Sequence, residues 1–197
     1  MYNILVTLQV ANRWWCQAYL LLVIFYFLLN STQLVLMTPP PDFTPTGRNS
    51  SVPTFFMILT NEKQTINYGK TLSQSLQGGD VLCLHGNLGT GKTTLTKGIA
   101  RGLKIKEEIT SPTFTLMQLY KIKNSNTKIK NFIHIDTYRL KDEQELIDIG
   151  ALDYLGETDT ICVIEWPEKI KKLLQNKKVV NIFIEHSPKG RKIKLEK

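Results

Sequence analysis

In the stretch "GNLGTGKTT", Gly86, Gly91, Lys92 and Thr93 fill every fixed position of the spacing G-x-x-x-x-G-K-[ST]. These residue types do one chemistry together. Glycines let the backbone turn tightly, so that successive N–H groups converge on phosphate oxygens. A lysine placed here reaches the β- and γ-phosphates of a nucleoside triphosphate, and the threonine beside it offers a hydroxyl to Mg²⁺. The apolar run "DVLCLH" ahead of the loop reads as a buried strand. "GKTTLTKGIARGL" behind it reads as a helix, with Leu95, Ile99 and Leu103 at four-residue spacing. A helix beginning at Gly91 aims the positive end of its dipole at the same phosphates. The expected binding loop is Gly86, Asn87, Leu88, Gly89, Thr90, Gly91, Lys92, Thr93 and Thr94.

A loop of this kind holds its metal with the help of an acid that ends a neighbouring apolar strand. Two acids qualify: Asp136 after "NFIHI" and Glu165 after "TICVI". Both should emerge at the C-terminal edge of the sheet, where ligands sit in open α/β folds. One acid can serve the metal and the other the attacking water. Trp166, next to Glu165, fits either the core or a cover over the nucleotide cleft.

The elements that must position these groups alternate. "TFFMILTN" is a short strand. "TINYGKTLSQSLQGG" is a helix with Ile66, Gly69, Leu72 and Leu76 near one face, closed by Gly78-Gly79. "SPTFTLMQLYKIK" turns and becomes a strand, "KNSNTK" is a polar hairpin-like loop, and "NFIHIDTYRL" is a strand. "DEQELIDIGALDYLG" is a helix with Asp142 as its N-cap, and "TDTICVIEWPEK" is a buried strand. "VVNIFIEHS" and "RKIKLEK" form a late hairpin around Pro188, Lys189 and Gly190. The fold class that follows is α/β: a mostly parallel central sheet flanked by helices, with antiparallel late strands.

The 197 residues suit one domain with an appendage. Residues 1–53 differ from the rest. "AYLLLVIFYFLL" (18–29) is apolar throughout apart from its tyrosine hydroxyls, and the proline-rich "TPPPDFTPTGRNSSVPT" reads as a linker, so the expected domain is 54–197. The leader fits an anchor, a targeting segment or a misplaced start near Met57. The net charge is +8, and Glu168 to Lys197 alone carry nine lysines and one arginine against three acids. That balance permits contact with nucleic acid, an anionic membrane or an acidic partner, and equally fits solvated lysines. Cys16, Cys83 and Cys162 offer no paired framework, and Cys83 and Cys162 lie in strand-like apolar runs. That reads as a reducing, cytoplasmic setting.

Four motifs stand in order: "GNLGTGKTT", "SPTFTL", "HIDTYRL" and "ICVIEWPEK". From about Thr60 to Arg191 the chain resembles the TsaE (YjeE) family, P-loop ATPases of bacterial tRNA threonylcarbamoyladenosine biosynthesis. The resemblance implies that residues 86–94 bind ATP phosphates and that Thr93 and Glu165 are ligands of Mg²⁺. It implies catalytic roles for Lys92 and for Asp136, which would sit beside the γ-phosphate. Ser111, Pro112, Thr113 and Phe114 would form a switch that senses the nucleotide. Glu62 and Thr65, expected ahead of the first helix, Trp166, and Arg191 would also contact nucleotide. The implied partners are a threonylcarbamoyl transferase subunit and its non-catalytic relative (the TsaD and TsaB type), which together modify adenosine 37 of tRNAs reading ANN codons. One departure is Asn87, where the family usually has an acid; backbone N–H groups do the cradling, so binding is expected to persist. Two other readings stay open: a small-molecule kinase, poorly served by the scattered Arg101, Arg139 and Arg191, and a nucleotide switch tethered through residues 18–37. An ABC-type ATPase lacks its LSGGQ-like signature here.

Overall fold

The computed structural model describes residues 56–123 and 127–196. The leader, the start of the first strand at Thr54-Phe55 and the middle of the "KNSNTK" loop lie outside the described residues. Ten elements follow in order: β1 (Phe56–Leu59), α1 (Glu62–Ser73), β2 (Asp80–His85), α2 (Lys92–Gly102), β3 (Met117–Lys121), β4 (Asn131–Asp136), α3 (Gln144–Asp148), β5 (Thr160–Glu165), β6 (Lys178–Ser187) and β7 (Gly190–Glu196). Short 3-10 turns occupy Ala151–Asp153 and Pro167–Ile170.

The strands form one seven-stranded sheet in the order β1-β7-β6-β2-β5-β4-β3. Its centre, β6-β2-β5-β4, is parallel throughout, and β3, β7 and β1 pair antiparallel with their neighbours at the two sides. Strands buried on both faces read as continuous apolar runs, which is why "VLCL" and "ICVI" show no alternation. Their odd and even residues serve different layers. Leu82, Leu84, Ile161, Val163 and Phe132 pack beneath Leu95 and Ile99 of α2. Val81, Cys83, Ile133, Ile135, Cys162 and Ile164 pack on the other face with Leu146, Ala151, Leu155 and Ile170. Burial pushes the Cys83 thiol up to about 12 and the Cys162 thiol up to about 11, so both act as small hydrophobes.

Three expectations are corrected. The first helix begins at Glu62, so Glu62 and Thr65 lie in its first turn, not ahead of it. The Asn61 side chain caps it by accepting the Gln64 N–H at 2.9 Å. The same helix ends at the Gln74 cap, four residues before Gly78-Gly79; these glycines instead lead into β2, where a Cβ on Gly78 would meet the Thr158 carbonyl. The long helix expected over 142–156 is interrupted: α3 stops at Asp148, and Gly150, with φ of 76°, turns the chain into a 3-10 segment. Asp142 does accept the Gln144 N–H at 3.1 Å, although Glu143 is the helix's capping residue.

Helices α1 and α2 meet through two glycines. A Cβ on Gly69 would lie 2.8 Å from the Gly98 Cα, and a Cβ on Gly98 would lie 2.4 Å from the Ile66 carbonyl oxygen. The contact brings the start of α1 close to the start of α2. Gly98→Val should force the helices apart at a cost of about 1–3 kcal/mol. Thermal unfolding monitored by circular dichroism should show a lower midpoint for Gly98→Val, whereas Lys97→Ala should stay close to wild type. Equal midpoints would remove the close helix contact.

Candidate nucleotide site

Strand β2 ends at His85 and the chain enters the loop at Gly86, whose φ is 146°. A Cβ there would stand 2.2 Å from the Ile184 carbonyl oxygen, so only glycine fits. Gly91 caps α2 in the left-handed region with φ of 100°, and a Cβ on it would stand 2.7 Å from Arg191 Nε. No side chain caps the N-terminus of α2, which leaves its first N–H groups available to an anion.

Lys92 is buried, 4% exposed, and its Nζ donates to the carbonyl oxygens of Gly86 at 2.8 Å and Asn87 at 3.0 Å. The ammonium also lies 4.0 Å over the Trp166 ring. Burial holds the Lys92 pKa below its ordinary value, while Glu165, Asp136 and Glu168 pull it back up. Asn87 contributes its carbonyl, which also accepts from Thr90 Oγ1 at 2.9 Å. Its side chain makes no hydrogen bond to the rest of the loop. Leu88, at the loop's tip, is 72% exposed.

The parallel pairing of β2 with β5 sets Leu84 opposite Glu165, and the pairing of β4 with β5 sets Asp136 opposite Glu165. Both acids end their strands and both are 3% exposed. Their environments differ. Glu165 Oε1 accepts the Thr93 hydroxyl at 2.8 Å and faces His134 Nε2 at 3.0 Å. Asp136 Oδ2 accepts the hydroxyls of Ser111 at 2.5 Å and Thr113 at 2.7 Å, while its Oδ1 accepts the Tyr138 N–H. Glu165 is therefore tied to the loop, and Asp136 to the segment Ser111–Phe114. Phe114 itself is 82% exposed, with the Arg139 guanidinium 4.4 Å over its ring.

Trp166 follows Glu165 with a left-handed backbone, φ of 62°. Its N–H donates to the Leu84 carbonyl, and the buried Thr137 hydroxyl donates to the carbonyls of Glu165 and Trp166. The ring lies over Lys92 and against Tyr138, at the cleft and not in the core. Arg191, on β7, flanks the loop at Gly91 and donates from Nη1 to Thr65 Oγ1 at 3.2 Å. Glu62 is exposed, and among the described residues it makes no hydrogen bond or ion pair with the loop. Sequence reasoning missed His134 and Thr137. His134 sits two residues before Asp136, so strand alternation alone puts both side chains on one face.

The arrangement can cradle a chain of phosphates on N–H groups and an ammonium. Its oxygen donors, Thr93 and Glu165, suit a hard divalent cation that keeps water and phosphate ligands. Among the described residues no group of three or more His, Cys, Asp or Glu side chains forms a metal cage.

A mixed sheet with a parallel centre, whose β2 runs through this loop into α2 and whose neighbouring β5 sets an acid on the loop threonine, defines a P-loop nucleotide-binding protein. The family model described as threonylcarbamoyl adenosine biosynthesis protein TsaE matches residues 59–193, and the chain belongs to that family. The tRNA threonylcarbamoyladenosine biosynthesis protein TsaE of Treponema pallidum is 41% identical over 113 residues, covering 57% of this chain and 78% of that protein. The Haemophilus influenzae protein of the same name is 34% identical over 142 residues, covering 70% and 85%. The crystal structure of Bacillus subtilis YdiB superposes with a TM-score of 0.56 at 28% identity, covering 75% of this chain and 87% of that one.

The two bonds that Ser111 and Thr113 donate to Asp136 predict a role for the carboxylate in holding the Ser111–Phe114 segment. In Asp136→Ala, amide hydrogen exchange of residues 111–115 should quicken at least about tenfold while β2 keeps its protection. Unchanged exchange in that segment would show that the carboxylate does not hold it.

Proposed function

We propose that the chain is the Mg²⁺-dependent ATPase of tRNA threonylcarbamoyladenosine formation, with residues 54–197 as its functional domain. The observation that carries this is the Thr93 hydroxyl on Glu165 Oε1 at 2.8 Å, in a loop whose lysine is already turned inward. Because the hydroxyl hydrogen is committed to the carboxylate, a lone pair of Thr93 is free for a cation. When bound, Mg²⁺ neutralises charge on the phosphates. Thr93 and Glu165 are the residues that would hold it.

The other residues take roles from the same geometry. Backbone N–H groups of Gly86 to Thr94 bind the phosphates, and Lys92 supplies the cation at the β- and γ-phosphates. Asp136 is the acid beside the γ-phosphate, and the Ser111 and Thr113 hydroxyls on it link that place to a segment able to sense the nucleotide. Trp166 covers Lys92, and Arg191 with Thr65 closes the side of the loop. Glu62, one turn from Thr65, is assigned to the same nucleotide rim.

The partners we propose are the TsaD- and TsaB-type subunits, with tRNA engaged through their complex. Exposed Leu88, Phe114 and Tyr138 border the site and offer apolar area to such a partner. A surface that moves with the γ-phosphate is where hydrolysis can alter a partner's state. The setting we propose is the cytoplasm. Among the described residues no helix is long and apolar enough to cross a membrane.

The test mixes the chain with the two partner subunits, tRNA, ATP, threonine, bicarbonate and the adenylate-forming enzyme, and measures the modified nucleoside by mass spectrometry of digested tRNA. The wild-type chain and residues 54–197 should both support several turnovers. Lys92→Ala, losing about 1.5–3 kcal/mol of charge-assisted phosphate binding, should support almost none. A chain that binds ATP yet never stimulates the modification with active partners would overturn the proposal, and a screen for kinase acceptors would follow.

A further inference from the structure

We propose that His134 is the positioning residue that fixes the Glu165 carboxylate toward the metal. The inference rests on the reading above that Glu165 holds Mg²⁺. His134 lies in β4 opposite Val163 of β5, in the layer that holds Phe132, Ile161 and Val163, and it is 0% exposed. A polar ring there is costly where an aliphatic side chain would extend the core. The cost is visible in the ring itself, because Nδ1 is buried without a hydrogen-bond partner. Such an unmatched atom calls for an explanation other than packing.

The other nitrogen supplies it. His134 Nε2 stands 3.0 Å from Glu165 Oε1. A carboxylate only accepts, so Nε2 is the nitrogen that carries a hydrogen toward Glu165. The same Oε1 receives the Thr93 hydroxyl at 2.8 Å. Two donors from different elements, β4 and α2, thus converge on one oxygen of Glu165. Among the described residues no hydrogen bond reaches the second oxygen, Oε2. The carboxylate is pinned at one oxygen and presents the other. This is how hydrogen bonds behind a metal ligand set its orientation, and losing one such partner costs metal affinity by about 10–100-fold.

The measurement is a Mg²⁺ titration of nucleotide affinity on the full chain, using a fluorescent ATP analogue, run beside affinity without Mg²⁺. His134→Leu should bind nucleotide without metal within about twofold of wild type, and should need at least about tenfold more Mg²⁺ for the metal-dependent gain. It should melt no lower than wild type, since it removes an unpartnered polar atom. His134→Gln, whose amide nitrogen can stand where Nε2 stands, should recover most of the Mg²⁺ response; His134→Asn, too short, should not. In the wild-type chain, nitrogen-15 spectra of the imidazole should show the Nε2–H tautomer. The Nδ1–H tautomer would overturn the proposal even if every variant failed to fold. So would a His134→Leu chain that melts lower and loses affinity equally with and without metal, because that describes a packing residue. Glu165→Gln separates the two levels. If it keeps the Mg²⁺ response, the assignment of Glu165 fails. If it loses the response while His134→Leu keeps it, only the role of His134 fails.

Discussion

The hydrogen bond from Thr93 to Glu165 joins the two halves of the site, and the sheet exists in the right register to make it. Thr93 is the second residue of α2, and Glu165 is the last residue of β5. They meet because β2 and β5 pair in parallel with Leu84 opposite Glu165, and because the Trp166 N–H returns to the Leu84 carbonyl. A slip of one residue would turn Glu165 to the opposite layer of the sheet, among Cys162 and Ile164. The continuous apolar strands are thus a positional device as well as a core. Burial on both faces fixes the register, and the register delivers the acid.

A second constraint comes from the ends of the domain. β1 pairs with β7 so that Leu59 faces Arg191, and Arg191 then reaches Thr65 on α1 while flanking Gly91 of the loop. The close approach of Gly69 and Gly98 carries α1 along with α2. The loop is therefore held by the first helix, the last strand and the central strands together. That distribution explains how residues as distant as Thr65 and Arg191 share one rim, and it leaves Ser111–Phe114, held through the hydroxyls on Asp136, as the adjoining segment that depends on side-chain bonds.

Much of this is legible in the sequence alone. The phosphate loop is a local spacing, so Gly86 to Thr93 could be read directly, and apolar runs ending in Asp136 and Glu165 announced acids at a sheet edge. The parallel centre followed from alternating strands and helices. What escaped depended on competition between signals. "NFIHID" reads as one buried strand, and nothing in its hydropathy says that His134 is bonded to an acid on the next strand. The break after Asp148 required Gly150 to outweigh an apolar helical pattern. The early start of α1 was written in "TNEKQ", where Asn61 caps and the Gln64 side chain accepts the Thr60 N–H at 2.6 Å, but the apolar periodicity begins later and drew the boundary with it. Trp166 was ambiguous for a plain reason: its place over Lys92 depends on a left-handed backbone that the sequence does not mark.

The account stands on Thr93 and Glu165 acting as one unit on the metal-bound nucleotide. The direct test is a double-mutant cycle on Mg²⁺-ATP affinity by calorimetry, with wild type, Thr93→Val, Glu165→Gln and both together. Residues that share one partner couple, so the double variant should bind no more than slightly weaker than the poorer single variant. Losses that add in full, each residue acting without regard to the other, would contradict the account.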